Sequence, residues 1–207
     1  SIAVTGDSAG AYISAMIVNS GNNISRSGSF PENLSIKPSY IPESITSEDI
    51  KNKNLLDVQA AVLSYGGYNL YSPALKGILE SRKNPFWMMA LSKPRGIFGN
   101  NYNAKTNPEM YKAISPLYNI PRAEERKLPP QFITSASKDR VTPVYAIKEY
   151  VKALEDAGQE VAYWEYKDRN HAYLDSGKTF LSGNDFKKDA IPALQKIMDF
   201  LNSKLDL

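Results

Sequence analysis

Cysteine is absent from the 207-residue sequence. Disulfide bonds, thiolate zinc sites and a cysteine nucleophile are therefore excluded. The chain also lacks an apolar run of about 20 residues, the length that a membrane-spanning helix requires, so we expect no membrane span. Its 25 basic and 22 acidic residues are scattered without long runs of one sign. This balance does not indicate a nucleic-acid partner, and the sequence leaves the compartment open.

The residues that are present predict one α/β domain over residues 1–207. Hydrophobic residues make up 42% of the chain and aromatic residues 11%, which suffices for a packed core. Short apolar runs alternate with segments of helical spacing, and this alternation is typical of a mostly parallel sheet flanked by helices. The predicted strands are residues 1–5, 58–65, 131–137 and 160–166. The predicted helices are residues 11–18, 108–113, 143–157 and 186–205.

Two longer segments interrupt this alternation. Residues 19–57 are polar and rich in Asn, Ser and Pro, and only residues 47–53 indicate a helical turn, so we interpret the segment as an insertion. Residues 73–118 are more apolar and contain Trp87 and Met88. This segment is a candidate cap over a pocket, although Trp87 and Met88 could equally be ordinary core residues.

The pattern Gly-x-Ser-x-Gly follows the first predicted strand, in Gly6-Asp7-Ser8-Ala9-Gly10. A strand, a sharp turn and a helix around this pattern form a nucleophile elbow, which exposes the serine hydroxyl at the tip of the strand. We expect glycine at both flanks because larger side chains would collide across so tight a turn. The elbow predicts Ser8 as the nucleophile and the backbone N–H of Ala9 as one oxyanion donor.

A serine hydroxyl needs a base, and His171 is the only histidine in the chain. It follows the fourth predicted strand, at the sheet edge where Ser8 also lies. Asp139 follows the third strand and is the predicted acid that orients the imidazole. Glu165 and Asp168 are rival acids, but neither approaches from the neighbouring strand. Thr142 is the predicted N-cap of the next helix.

The chain order Ser8, Asp139, His171 is that of α/β-hydrolases. Together with the Gly6-to-Gly10 pentapeptide, Ser115-Pro116-Leu117, Leu128-Pro129-Pro130 and the turn containing His171, it resembles the hormone-sensitive-lipase-like branch of carboxylesterases. This resemblance implies an α/β-hydrolase fold with a cap. It further implies hydrolysis of small esters of short to medium acyl chain, with no metal or organic cofactor.

The chain departs from that family at three points. Ala11 and Ala172 stand where the family usually has glycine, and no His-Gly-Gly-Gly motif for the oxyanion is present. Gly66-Gly67 reads as a turn that ends a strand, not as a replacement for that motif. We therefore expect that the sequence is the C-terminal portion of a longer protein, that it lacks the N-terminal strands and the oxyanion loop, and that it is a weak enzyme alone.

Two other functions remain open at this point. A serine peptidase of the prolyl-oligopeptidase type has the same fold, triad and chain order. A binding protein on a hydrolase scaffold is the non-enzymatic alternative, since a fold does not fix a function.

Overall fold

Four parallel strands form a single sheet in the computed structural model, which describes residues 1–23, 40–78, 96–99, 101–175 and 183–205. The strands lie side by side in their chain order. They are β1 (Ala3–Asp7), β2 (Ala60–Ser64), β3 (Gln131–Ala136) and β4 (Val161–Tyr166). The helices are α1 (Ala9–Ser20), α2 (Ser47–Asn52), α3 (Tyr71–Leu75), α4 (Pro108–Ala113), α5 (Val144–Asp156) and α6 (Ile191–Leu205). A 3₁₀ turn, Pro116–Tyr118, follows α4, and a π-helical turn, Phe186–Ala190, precedes α6.

The register of the sheet brings the ends of all four strands to one edge. Thr5 is paired with Val62, Val62 with Phe132, and Phe132 with Ala162. Because every pairing is parallel, the carboxyl ends of the strands lie together. The segments that follow β1, β3 and β4, which carry the three predicted catalytic side chains, therefore begin at the same edge.

The burial of each strand follows its place in the sheet. All residues of β2 and β3 are buried, whereas β1 and β4, at the two ends of the order, are partly exposed. The inner strands are rich in apolar residues, as expected for parallel strands covered on both faces. The order thus places the strand that leads to Ser8 at one end of the described sheet.

Helices cover the two faces of the sheet. On one face, α1 and α5 pack against β2 and β3 in the main core, whose members include Ala11, Ala15, Leu63, Ile133, Ile147, Tyr150 and Leu154. On the other face, α6 contributes Ala193 to a cluster with Tyr65 and Tyr173, and the ring of Phe200 stacks on that of Phe132. This packing fixes the helix that begins beside Ser8 against the centre of the sheet.

The C-terminal end of α1 is held by Arg126. Its guanidinium donates hydrogen bonds to the carbonyl oxygens of Val18 and Asn19. These oxygens belong to the last turn, where carbonyl groups have no N–H partner within the helix. Gly21 follows with a φ of 57°, and a Cβ there would lie 2.8 Å from Arg126 Nη1. A positive charge at this end also interacts favourably with the helix dipole.

The Ser115-Pro116-Leu117 segment connects α4 to α1. The hydroxyl of Ser115 donates to the carbonyl of Tyr111 at 2.7 Å and accepts from the N–H of Leu70 at 3.0 Å. From α1, the hydroxyl of Tyr12 donates to the carbonyl of Ile114 at 2.8 Å. The segment is therefore fixed by buried polar contacts as well as by its proline.

The four predicted strands and the helices predicted over residues 11–18, 108–113 and 143–157 are confirmed, with ends that shift by two residues at most. The helix predicted over residues 186–205 is confirmed as the π-helical turn Phe186–Ala190 followed by α6. The helical turn predicted within residues 47–53 is α2 (Ser47–Asn52), whose capping box joins Thr46 and Asp49. Within residues 73–118, Ala74, Ala104, Met110 and Tyr111 form a small apolar cluster of their own. Trp87 and Met88 lie outside the described residues, and the insertion and the cap stay predictions.

Candidate active site

Ser8 occupies a strained backbone position at the end of β1. Its φ is 50° and its ψ is −116°, which is rare for a residue other than glycine. The N–H of Ser8 donates to the carbonyl of Ser64 in β2 at 2.9 Å, so the last sheet hydrogen bond comes immediately before the turn. Helix α1 then starts at Ala9. This is the strand, turn and helix that the sequence predicted for an elbow.

The two flanking glycines differ in what the turn requires of them. A Cβ on Gly6 would lie 2.4 Å from the backbone carbon and oxygen of Gly10, a contact that the turn cannot accept. A Cβ on Gly10 would meet only Asp7 Oδ1, at 3.8 Å, an ordinary van der Waals distance. The predicted steric need for glycine is therefore confirmed at Gly6 and wrong at Gly10. A Cβ on Gly6 would point at the backbone of Gly10, whereas a Cβ on Gly10 would not lie against the backbone of the strand.

The first turn of α1 begins directly after Ser8. Ser8 is the N-cap residue and provides no side-chain cap. The first N–H groups of a helix have no acceptor within the helix, and they carry its positive dipole end. The N–H of Ala9 is therefore a hydrogen-bond donor next to Ser8, and its role as an oxyanion donor stays a prediction.

The three predicted side chains lie in hydrogen-bonding contact. Ser8 Oγ is 2.9 Å from His171 Nε2, and His171 Nδ1 is 2.7 Å from Asp139 Oδ2. The side chain of His171 is 18% exposed and that of Asp139 is fully buried. With Asp139 ionised, Nδ1 carries the proton and Nε2 is left to accept the hydrogen bond of Ser8.

Asp139 accepts four hydrogen bonds, the number that a carboxylate can hold in its plane. Oδ1 accepts from the N–H groups of Val141, at 2.7 Å, and Thr142, at 2.9 Å. Oδ2 accepts from His171 and from the hydroxyl of Thr142 at 2.8 Å. Burial acts to raise the pKa of Asp139, but the hydrogen bonds from His171 and Thr142 outweigh it, so this pKa lies below its ordinary value.

The rival carboxylates have other partners. Glu165 forms an ion pair with Lys148 at 2.8 Å, and Asp168 forms one with Lys138 at 3.0 Å. The side chain of Asp168 is 74% exposed. Among the three acids, the structure therefore brings only Asp139 into contact with His171.

His171 is further held by contacts that the sequence did not reveal. The side-chain amide of Asn184 donates to the carbonyl of His171 at 2.7 Å. The ring of Tyr65 meets the imidazole edge to face, with 5.0 Å between ring centres. The hydroxyl of Tyr65 donates to Asp7 at 3.1 Å, and burial raises the pKa of Tyr65, which keeps it a donor. No local sequence signal joins these residues to His171.

Ala172, where the resembled family has glycine, lies in the left-handed region with a φ of 62°. This conformation costs an alanine about 1 to 2 kcal/mol, and glycine avoids the cost. Ala11, the other departure, is fully buried, and a Cβ on the facing Gly66 would lie 2.8 Å from that of Ala11. The methyl group of Ala11 thus occupies space that Gly66 leaves free.

Thr142 does not cap a helix, which corrects its predicted role. Helix α5 begins at Val144, Pro143 is its N-cap residue, and no side chain caps it. Thr142 instead directs its hydroxyl at Asp139, the carbonyl of Tyr65 and His171. The proline explains the shift, because the residue before a proline is disfavoured in helical conformation and stays extended.

The described part of the chain offers no group of three or more His, Cys, Asp or Glu side chains that could bind a metal ion. In the same residues, no helix is both long and apolar enough to cross a bilayer.

Several solved structures are similar to this chain. It aligns with the butyrate-bound esterase Est2 of the planctomycete Thermogutta terrifontis at 17% identity and a TM-score of 0.55, covering 99% of this chain and 56% of the esterase. The propionate-bound form of that esterase gives 17% identity and a TM-score of 0.52, covering 96% and 56%. The acylaminoacyl peptidase of Pyrococcus horikoshii gives 17% identity and a TM-score of 0.59, covering 99% and 24%. The chain thus spans little more than half the length of the esterase.

These likenesses concern the fold, and they agree with the predicted α/β-hydrolase architecture. Among curated protein sequences, none matches the chain significantly. The sequence profile of the α/β-hydrolase fold matches residues 1–175, which is most of the chain. The resemblance to the hormone-sensitive-lipase-like hydrolases is thereby confirmed at the level of the family. The chain therefore belongs to the α/β-hydrolase fold family.

Proposed function

We propose that this chain carries the catalytic triad of a serine esterase acting on esters of short to medium acyl chain. The observation that supports it best is the pair of contacts at His171, 2.9 Å from its Nε2 to Ser8 Oγ and 2.7 Å from its Nδ1 to Asp139 Oδ2. Both lie within the range in which a base can accept a nucleophile's proton and a carboxylate can orient that base.

In the acylation step, Ser8 Oγ attacks the ester carbonyl carbon while its proton passes to His171 Nε2. Asp139 stabilises the imidazolium that forms and does not itself take up the proton. The tetrahedral intermediate then collapses, the carbon–oxygen bond to the alcohol breaks, and the proton on Nε2 goes to the departing alkoxide. The acyl group is left as an ester of Ser8.

Deacylation repeats these steps with water as the nucleophile. His171 Nε2 takes a proton from water as the water oxygen bonds to the acyl carbon, and then returns it to Ser8 Oγ as the acid is released. Every proton that leaves a nucleophile is thus delivered to a leaving oxygen. No group outside the triad is needed for these transfers.

The N–H of Ala9 is the donor that we assign to the oxyanion. Loss of one oxyanion donor costs about 10² to 10³ in turnover, so this backbone N–H contributes to the rate together with the triad.

The proposed acyl preference rests on the family and on one neighbouring structure. The esterase of T. terrifontis was solved with propionate and with butyrate bound. Those are products of short-chain ester hydrolysis. By analogy, a p-nitrophenyl ester series from acetate to laurate should be cleaved best at four carbons or fewer.

A peptidase is the second candidate, since the acylaminoacyl peptidase of P. horikoshii has a similar fold. The two functions are separated by substrates that differ only in the scissile bond. The esterase proposal predicts hydrolysis of p-nitrophenyl butyrate with no measurable hydrolysis of butyryl p-nitroanilide. Faster cleavage of acylated amino-acid anilides than of esters would favour the peptidase.

The direct test compares Ser8→Ala with Ser203→Ala on p-nitrophenyl butyrate. Ser203 lies exposed on α6, so its substitution controls for the loss of a hydroxyl. We expect Ser8→Ala to reduce the rate to background, about 10³-fold or more, and Ser203→Ala to leave it unchanged. A Ser8→Ala variant with the original rate would refute the proposal, and absence of hydrolysis in every form would favour the binding-protein alternative.

A further inference from the structure

Thr142 lies where the ends of three strands meet. Its hydroxyl oxygen is 2.8 Å from Asp139 Oδ2, 3.0 Å from the carbonyl oxygen of Tyr65 and 3.3 Å from His171 Nδ1. Tyr65 follows β2, Asp139 follows β3 and His171 follows β4. One side chain thus contacts both the acid and the base of the proposed triad without reaching Ser8.

The hydroxyl has a single proton to share among these neighbours. His171 Nδ1 is itself a donor, because its proton lies on the 2.7 Å contact to Asp139. Of the two remaining acceptors, Asp139 Oδ2 is both closer and charged, and hydrogen bonds to an ionised acceptor are the stronger ones. The proton of Thr142 is therefore assigned to Asp139.

This donor completes the hydrogen bonding of the carboxylate. Two backbone N–H groups fix Oδ1, whereas the partners of Oδ2 among the described residues are His171 and Thr142. When the imidazole gains and loses a proton during the reaction, Thr142 is the partner of Oδ2 that does not change. It keeps this oxygen directed at Nδ1.

The backbone around Thr142 holds the hydroxyl in place. The preceding N–H of Val141 and its own N–H are bound to Asp139, and Pro143 follows with a fixed φ. On the β2 side, Tyr65 has a φ of 39°, a conformation that is costly for tyrosine. The turn that contains Thr142 and the turn at Tyr65 therefore both have restricted backbone conformations where they meet beside the Asp139 carboxylate.

We propose that Thr142 is a positioning residue of the hydrolase, whose hydroxyl holds Asp139 Oδ2 against His171. The proposal rests on the proposed esterase function, since it assigns a role within the same triad. It requires the hydroxyl group and not the methyl group, which points toward the turn at Gly67.

Three variants of Thr142 separate its hydroxyl from the rest of the side chain, and Ser8→Ala serves as the control. Thr142→Val removes the hydroxyl at constant shape, and Thr142→Ser keeps it while removing the methyl group. Thr142→Ala and Thr142→Ser form a second matched pair that both lack the methyl group and differ by the hydroxyl alone. Ser8→Ala reports whether the reaction depends on the proposed nucleophile at all.

With p-nitrophenyl butyrate, we expect Thr142→Val and Thr142→Ala to lower kcat by about 10- to 100-fold, the effect of losing one hydrogen bond to a charged group. KM should stay within about twofold, because Thr142 is not placed to touch substrate, and a purely positional loss appears in kcat. Thr142→Ser should recover most of the rate. If Thr142→Val does not fold, the Ala and Ser pair decides.

A spectroscopic measurement tests the same contact without turnover. His171 is the only histidine, so protein labelled with ¹⁵N-histidine gives the ring nitrogens of this residue alone. We expect a protonated Nδ1 with a slowly exchanging, strongly downfield proton in the original protein and in Thr142→Ser. In Thr142→Val and Thr142→Ala this proton should exchange faster and its signal should broaden.

The outcomes distinguish the two proposals. Full activity in Ser8→Ala would refute the esterase mechanism while the imidazole spectrum still tested Thr142. Loss of activity in Ser8→Ala, together with equal kcat values and equal imidazole spectra in Thr142→Ala and Thr142→Ser, would overturn the positioning role alone. A kcat and a spectrum that both follow the hydroxyl would support it.

Discussion

Ser8 Oγ and His171 Nε2 lie 2.9 Å apart although 163 residues separate them in the chain. The sheet produces this contact, since its strands are parallel and ordered as in the sequence. β1 delivers Ser8 to the edge that β4 reaches before His171. The two strands are not neighbours, so the meeting also depends on the turns that bring the imidazole back across β2 and β3.

The two glycines of the elbow offer a matched steric test. A Cβ at Gly6 would lie 2.4 Å from backbone atoms of Gly10, which cannot move without opening the turn. We expect Gly6→Ala to lower the free energy of unfolding by about 3 kcal/mol or more and to abolish activity. Gly10→Ala should change stability by less than about 1 kcal/mol. Chemical denaturation of both variants measures the difference.

Equal loss of stability in the two variants would contradict this account of the elbow. So would a Gly6→Ala protein that unfolds at the original denaturant midpoint, because the turn would then be wider than the structure has it.

Asp139→Asn should leave the fold in place and impair the chemistry. If the amide oxygen faces the N–H groups of Val141 and Thr142, the amide nitrogen faces His171 and donates to Nδ1. The imidazole proton then moves to Nε2, which can no longer accept from Ser8. We expect kcat on p-nitrophenyl butyrate to fall by about 10⁴-fold, as when the base is held in the wrong tautomer.

Asp168→Asn provides the comparison for a nearby carboxylate without contact to His171. Its kcat should stay within about twofold of the original value. A larger loss of kcat in Asp168→Asn than in Asp139→Asn would contradict the assignment of Asp139 as the acid that orients His171.

The lowered pKa of Asp139 predicts a loss of stability in acid. Because the pKa in the folded state lies below the ordinary value of 3.8, the unfolded chain binds more protons as the pH falls past that value. The contribution of Asp139 is therefore complete above about pH 4 to 5 and is lost as the pH falls through the folded-state pKa. Urea unfolding of the original protein and Asp139→Asn, from pH 7 to pH 3, measures it.

We expect the difference in unfolding free energy between these two proteins to be constant near neutral pH and to shrink in acid. Two curves that remain parallel down to pH 3 would show that the carboxylate gains nothing from its four donors.

Ala172→Gly should stabilise the protein by about 1 kcal/mol, because it removes the cost of a methyl group at a φ of 62°. Ala153→Gly, three residues before the end of α5, is the control and should destabilise by about the same amount. The thermal unfolding midpoint should rise in Ala172→Gly and fall in Ala153→Gly. A lower midpoint for Ala172→Gly would mean that the methyl group makes contacts worth more than its strain.

The sequence was sufficient to predict the sheet, the elbow and the three side chains that meet there. Each of Ser8, Asp139 and His171 directly follows a strand or lies in the turn after one, and parallel strands bring such positions to one edge. Local sequence pattern and the topology of a parallel sheet were therefore enough to predict which three side chains meet. Their contact distances could not be predicted, because these depend on turn geometry.

Other features lay beyond local pattern. Thr142 carries a hydroxyl one residue before a proline, a signal that fits a helix cap as well as the contact to Asp139, and only the path of the turn decides between them. Asn184 lies 13 residues from His171 and no periodicity relates the two. Gly10 fits the elbow pattern, yet its need for glycine depends on which backbone approaches which Cβ. The roles of these three residues depend on how distant segments pack together, which the local sequence does not show.

The central claim is that His171 activates Ser8, and covalent labelling of Ser8 measures it most directly. A fluorophosphonate probe reacts with an activated serine, and mass spectrometry of the digested protein locates it. We predict one adduct, on Ser8, formed at least 10²-fold faster in the original protein than in a folded His171→Ala variant. An adduct on another serine, or labelling of Ser8 at the same rate in both proteins, would contradict the account.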